Sequence, residues 1–337
     1  MKTILRVSRA CLTLGLLVVV AACNRTQFSP MPEEISNSVT PQSEEIMQGS
    51  QPAPVDLLVV MDNSRSMADE QEKMAERTQN LLNEIDSLDW RIGITTTDVS
   101  TGSYGLRGEL LALTGGQGKV LLKGANDAQR IFGDTMKRDE TLTCPTTGVC
   151  PTGDEQPLAA TLQALQKRNG VNQGFFRPNA DMMVLIITDE DEKSNGAAGA
   201  TTGAQLVNGV RQILSDDQKF IVSAIVVKPG DTSCFNQNSP DGNYANVVAG
   251  AVALTGGFLG SVCAVDYADQ LRRVGQLVRK AADSFELTQT PEAGTLEISF
   301  SPAQPQTKWK LVGRKVVFTQ NPPPIGTFMR ATYIPMP

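Results

Sequence analysis

Three short segments constrain this chain more than anything else in it. Val55–Met61, Met182–Thr188 and Phe220–Val227 are near-continuous runs of Val, Ile, Leu and Met. Runs this short suit strands, and the lack of polar alternation means that both faces must be covered. Trp90–Thr97 reads as a further strand and Gly257–Val262 as an edge strand. Leu106–Leu113 and Lys119–Leu122 read as short strands or a hairpin. Amphipathic stretches separate them. In Met67–Leu88 the residues Met67, Met74, Leu81, Leu82 and Ile85 recur near helical spacing. Leu158, Leu162 and Leu165 share one face of Gln156–Lys167, as do Leu271, Val274, Leu277 and Val278 in Tyr267–Ser284. Asp127–Met136, Ala204–Leu214 and Tyr244–Leu254 also read as helices. Strands alternating with helices predict an α/β fold: a doubly wound, mostly parallel, Rossmann-like sheet flanked by helices. Ligands of such sheets sit beyond the carboxyl ends of the strands. Function is therefore expected just after Met61, Thr97 and Thr188.

The first residues are of another kind. Lys2, Arg6 and Arg9 precede an apolar run from Leu12 to Ala22, too short to span a bilayer comfortably. The run ends Val20-Ala21-Ala22-Cys23, which resembles a bacterial lipobox. That resemblance implies cleavage before Cys23, lipidation of its thiol and anchoring in the cell envelope; Asn24, rather than Asp, favours the outer membrane. Residues 24–52 are rich in Ser, Gln, Pro, Glu and Asn, a linker composition.

The cysteines agree with export. With Cys11 in the cleaved segment and Cys23 lipidated, Cys144, Cys150, Cys234 and Cys263 remain of the six. An even number in an exported chain reads as two disulfides, with three pairings open. The favoured pairing is Cys144–Cys150, stapling a Pro/Thr/Gly-rich loop, with Cys234–Cys263 tying the loop after one strand to a later strand. A four-thiolate zinc site is the rival, but the paired C-x2-C knuckles are missing. Histidine is absent and the net charge is −6. No histidine-based triad or histidine-ligated zinc can be built, and no basic excess exists to neutralise phosphates, so nucleic acid is not the expected partner.

Just past the first apolar strand stands Asp62-Asn63-Ser64-Arg65-Ser66. D-x-S-x-S is weak alone, and helix capping by Ser64 or Ser66 is the plain alternative. At the end of a buried strand the segment Val59–Met67 resembles the first motif of the metal-ion-dependent adhesion site in von Willebrand factor A domains. That resemblance implies two further segments. Thr152, in Pro151-Thr152-Gly153-Asp154-Glu155, fits the loop threonine best, with Thr146, Thr147 and Ser103 in nearby loops. Asp189, in Ile187-Thr188-Asp189-Glu190, fits the later aspartate. The resemblance covers about residues 53–285. It implies a metal held directly by Ser64, Ser66 and Thr152, with Asp62 and Asp189 acting through waters. Hydroxyls and carboxylates are hard donors, which select Mg²⁺ first, or Mn²⁺ or Ca²⁺. Neutral hydroxyls would leave the ion with excess positive charge, so a carboxylate from a partner protein could complete its coordination.

The sequence departs from that pattern after Asp189, where Glu190, Asp191 and Glu192 follow in place of Gly. They read either as a solvated acidic loop or, for Glu190 and Asp191, as additional metal-binding carboxylates. Asp98 is either a further support of the site or a turn residue. From Phe285 the pattern changes to short strands, Thr295–Phe300, Lys308–Leu311, Lys315–Thr319 and Thr327–Ile334, with Trp309, Phe318 and Tyr333 as a small core. The expected organisation is a signal segment over 1–23, a linker over 24–52, an A-type domain over 53–285 and a small β module over 286–337. The expected function is metal-dependent protein binding or adhesion at the cell envelope. The alternative is a docking subunit of an envelope complex. No nucleophile with an activating base points to an enzyme.

Overall fold

The structure is a computed structural model; it describes residues 40–336 except 49–52, 194–195, 197, 217, 241, 283 and 325. The signal segment, Cys23 and most of the linker lie outside the described residues. No helix among those described is long and apolar enough to cross a membrane.

A six-stranded sheet forms the centre. Its strands are β2 (Pro54–Met61), β3 (Asp89–Thr96), β4 (Leu121–Leu122), β5 (Asp181–Ile187), β6 (Phe220–Val226) and β7 (Leu259–Ser261), in the order β4-β3-β2-β5-β6-β7. All pairings are parallel except that of β4 with β3. The side chains of β2 show why both faces are covered. Val55, Leu57, Val59 and Met61 belong to one core cluster, Leu58 and Val60 to the other. The first face packs against α1 (Ala68–Ala75), α2 (Thr78–Ile85) and α9 (Ala268–Ala282), through Met74, Leu81, Ile85, Leu271 and Val274. The second packs against α5 (Pro157–Gln166), α6 (Gly203–Arg211) and α8 (Asn246–Thr255), through Leu158, Leu206, Val210 and Val248. The doubly wound α/β class expected from the sequence is the one found.

Local departures have physical causes. The helix expected over Met67–Leu88 is broken after Ala75, where Thr78 is buried and its hydroxyl donates to the carbonyls of Ala75 and Gln129. Leu106–Leu113 is not a strand, although Leu110, Leu111 and Leu113 are buried. Asn172 supplies the bonds a neighbouring strand would have made, accepting from Leu110 N at 3.0 Å and donating to Gly108 O at 2.9 Å. Helices α3 (Ala128–Met136), α4 (Asp139–Thr147) and α7 (Thr232–Asn238) complete the domain. The apolar pattern foresaw α3 alone of these, because α4 and α7 carry few large apolar residues.

The β module differs from expectation in its membership. It has two three-stranded sheets: β10 (Lys308–Val312), β11 (Lys315–Gln320) and β8 (Ser284–Glu286) in one, β1 (Gln42–Met47), β12 (Phe328–Tyr333) and β9 (Glu297–Ser301) in the other. The linker reading of residues 24–52 is therefore corrected at its end. Gln42–Met47 pairs antiparallel along the whole of β12, placing Ile46 against a core that includes Phe285, Val316, Phe318, Met329 and Tyr333. The alternation in Gln-Ser-Glu-Glu-Ile-Met is mostly between polar residues, so composition concealed a strand. Phe318 and Tyr333 are buried and Trp309 is partly so, as a core role requires. The module thus draws strands from both sides of the α/β domain in sequence.

Candidate functional site

The strand order reverses at β2, whose neighbours are β3 on one side and β5 on the other. This is the switch point at which loops part and a ligand crevice opens. Asp62 leaves the end of β2 and Asp189 follows the end of β5 by two residues. Both are buried.

The Asp62–Ser66 turn is held from several sides. Asp62 Oδ1 accepts from Ser64 N at 2.7 Å and Oδ2 from the Thr188 hydroxyl at 2.6 Å. Gln71 Nε2 donates to Asp62 O at 2.8 Å. Ser64 precedes the 3₁₀ turn Arg65–Met67, yet its hydroxyl caps no backbone N–H. It faces the Ser66 hydroxyl at 3.0 Å, and Ser66 Oγ donates to Asp189 Oδ1 at 3.2 Å. The capping explanation of these serines therefore fails, and the hydroxyls converge on the later aspartate across 123 positions of sequence. Asp189 Oδ2 is buried with no hydrogen-bond partner.

Thr152 lies on the rim of the same pocket. That pocket, about 330 Å³, is lined by Ser64, Ser66, Thr152 and Glu190 together with Arg65 and the Cys144 and Cys150 pair. The threonine hydroxyl accepts from Asp154 N at 3.2 Å. Asp98 answers both of its alternatives: Oδ1 accepts from Ser100 N in a turn, and Oδ2 accepts from Thr152 N at 3.3 Å, tying the threonine loop to the end of β3. Both disulfides form as favoured, Cys144–Cys150 and Cys234–Cys263.

The acids after Asp189 are not a solvated loop. Glu190 is buried and lines the pocket. Asp191 accepts from the backbone of Val247 and Val248, at the start of α8. Glu192, also buried, accepts from Leu158 N at 2.6 Å and Ala159 N at 3.2 Å, at the start of α5. Carboxylates are favoured at helix N-termini, where free N–H groups and the dipole meet them. Asp191 is thereby spent on a helix end, which corrects the reading of it as an extra metal carboxylate.

Sequence reasoning missed Thr188, Gln71 and Glu155. Gln71 had a signal: it stands four residues after Met67 on an apolar helical stripe and is buried there. Glu155 had none. It is fully buried, receives the Thr97 hydroxyl, and has its pKa raised well above the usual carboxylate range by burial and by Asp62.

The electrostatics of the pair Asp62 and Asp189 are one-sided. Burial raises Asp62, against hydrogen bonds from Ser64 and Thr188. Burial and then the charge of Asp62 raise Asp189 to about 8. A divalent cation would reverse both effects. Among the described residues no group of three His, Cys, Asp or Glu side chains could hold a metal. An ion at this position would thus have to use hydroxyls: Ser64, Ser66 and Thr152 line one pocket, and Ser66 is bonded to Asp189, whose second oxygen is orphaned. The donor set fits Mg²⁺, Mn²⁺ or Ca²⁺.

No protein-family model matches the chain, and no curated protein matches it. Solved structures do align with it. The pilus adhesin SpaC from Lactobacillus rhamnosus GG aligns over 87% of this chain and 40% of its own, at 12% identity and a TM-score of 0.39. A von Willebrand factor type A structure from Catenulispora acidiphila aligns over 90% of this chain and 67% of its own, at 11% identity and a TM-score of 0.35. The manganese-loaded TRAP protein of Plasmodium vivax aligns over 77% and 89%, at 13% identity and a TM-score of 0.36. The chain spans less than half the length of the pilus adhesin.

Proposed function

We propose that this chain is a lipid-anchored protein of the bacterial cell envelope, on the outer membrane, that binds another protein through a von Willebrand factor A-type domain and a divalent cation. The observation that carries the reading is the convergence of Ser64, Ser66 and Asp189 at the switch point of the sheet, over a buried aspartate pair whose hydrogen bonds come from hydroxyls and amides. Ser64, Ser66 and Thr152 would hold the ion, with Asp62 and Asp189 supporting it. Mg²⁺ fits first, since oxygen donors and partial hydration suit it. Bound there, the ion supplies a Lewis-acidic position for a partner's carboxylate. The protein works by binding rather than by turnover, and its partner is a protein, not nucleic acid. Cys23 would carry the lipid. A docking subunit within an envelope complex would use the same surface.

Calorimetric titration of Mg²⁺, Mn²⁺ and Ca²⁺ into the full chain, beside Asp62→Ala, tests the site. Saturable binding that disappears in the variant supports it. Equal heats from both proteins would sink it. Protease added to intact cells separates the two roles: an adhesin is cleaved, a buried docking subunit is spared.

A further inference from the structure

Helix α4 was not foreseen from the sequence, and it has a use that its apolar content does not explain. Two points on it, one turn apart, are attached to two different segments of the candidate metal site. Near its start, the Thr141 hydroxyl donates to Asn63 O at 2.7 Å, and Glu140 Oε1 accepts from Asn63 Nδ2 at 3.4 Å. Asn63 lies inside the Asp62–Ser66 turn. Gln71 reinforces this end: its Nε2 donates to both Asp62 O and Thr141 Oγ1, and its Oε1 accepts from Arg138 N. Thr141 and Gln71 are each only 1% exposed. Farther along, Cys144 is bonded to Cys150, which stands two residues before Thr152. Cys144 is buried whereas Cys150 is exposed, and both line the pocket with Ser64, Ser66 and Thr152.

We propose that α4 and the Cys144–Cys150 disulfide form a covalent splint that fixes the Thr152 loop relative to the Ser64 and Ser66 hydroxyls. This rests on the metal-binding reading given above. Thr152 is the ligand with the longest route to the sheet. Its loop is also tied by the 3.3 Å bond from Thr152 N to Asp98, by the Thr97 hydroxyl on Glu155, and by backbone contacts farther on, among them Gln156 N to Thr97 O and Lys193 N to Glu155 O. A hydroxyl is a weak, neutral donor, so its contribution depends on being held at bonding distance beforehand. The splint supplies that hold from the turn that carries the other two hydroxyls. Opening the disulfide leaves α4 docked on Asn63 but removes the covalent tie between it and the start of the Thr152 loop. Thr141, Cys144 and Cys150 are then positioning residues, acting on the ion through Asn63 and Thr152.

The test compares two double variants of the full chain, Cys144→Ser with Cys150→Ser and Cys234→Ser with Cys263→Ser. Two readouts are taken: Mg²⁺ affinity by calorimetry, and hydrogen exchange of the amides from 152 to 155 without metal. The first variant is expected to weaken Mg²⁺ binding about tenfold or more and to speed exchange in the loop. The second should change neither. Thr141→Val is expected to weaken binding as well, and Thr141→Ser to restore it, which a merely structural threonine would not require. Wild-type affinity together with wild-type exchange in the first variant would overturn the splint. Faster loop exchange in a protein whose wild type binds no metal would uphold the splint and remove the metal reading instead.

Discussion

The two ends of the central sheet treat buried carboxylates in opposite ways. At the amino ends of the strands, acids meet cations. Arg177 donates from its backbone and from Nε to Asp56, at 2.6 and 2.8 Å, and from Nη1 to Asp89 at 2.6 Å. Lys315 of β11 lies 3.4 Å from Asp181. At the carboxyl ends, Asp62 and Asp189 meet hydroxyls, amides and each other. Asp56 and Asp181 at one end and Asp62 and Asp189 at the other are all 2% exposed or less, so burial alone does not separate them. Burial raises Asp56 to about 6, with Arg177 pulling it back, whereas Asp189 reaches about 8 because its neighbour Asp62 pushes in the same direction as burial. One end is electrostatically closed by the chain itself. The other lacks a cation of its own, and on the proposed reading a divalent ion from outside would close it.

The largest effect expected from breaking this contrast lies at the closed end. Arg177→Met leaves Asp56 buried without its partner, and removal of one member of such a pair typically costs about 3–5 kcal/mol. Asp56 can take up a proton, so the loss should shrink below pH 6. Urea unfolding at pH 5 and pH 8 measures both. A loss that does not depend on pH would mean that the arginine acts through packing and its bonds to Val55 O and Asp89 O.

At the open end the sign reverses. Asp189→Asn keeps an acceptor for Ser66 and removes a charge from beside Asp62. It should stabilise the metal-free protein at pH 9 by on the order of 2 kcal/mol, while abolishing Mg²⁺ binding. The pH dependence follows from the same shift. The folded-state pKa of Asp189 lies above its ordinary value of 3.8, so its contribution to stability is fully present below about 4 and is lost as pH rises through about 8. Glu192, raised to about 7 chiefly by burial, acts in the same direction. Thermal unfolding of the metal-free chain should therefore move to lower temperature between pH 5 and pH 9. Saturating Mg²⁺ should flatten that slope in the wild type and leave Asp189→Asn unaffected, and metal affinity should climb over the same interval because the ion competes with protons. A metal-free stability that increases with pH would contradict the assignment of the open end.

The contrast between the ends was only half legible in the sequence. Apolar runs and helical spacing carried the fold, because the two faces of β2 are written in alternate residues. The D-x-S-x-S turn and Asp189 were readable because each follows directly on an apolar strand. Thr188 was hidden for a different reason: its partner, Asp62 Oδ2, lies 126 positions away, and such a bond leaves no periodic trace, whereas Gln71 was open to reading as a polar residue on an apolar helical stripe. Asp191 and Glu192 looked like a charged loop because a carboxylate that seats a helix end has the same composition as one in water. Gln42–Met47 escaped because its pairing partner, Phe328–Tyr333, stands at the far end of the chain.

The smallest expected effect asks whether the ends are independent. Lys315→Met removes the cation beside Asp181, itself raised by burial and drawn back chiefly by Lys315. Asp181 keeps the bond from Lys219 N at 2.9 Å, and the lysine contact is long, so a cost of about 1 kcal/mol is expected. The change sits where β11 of the module meets the amino end of β5. Trp309 lies in the module and Trp90 in the sheet, so fluorescence in a Trp90→Phe background follows the module alone. If the ends are independent, Lys315→Met lowers the module's unfolding midpoint and leaves Mg²⁺ affinity at the wild-type value. A parallel fall in affinity would show that the β module is mechanically linked to the proposed metal site through β5, whose one end carries Asp181 and whose other leads into Thr188 and Asp189.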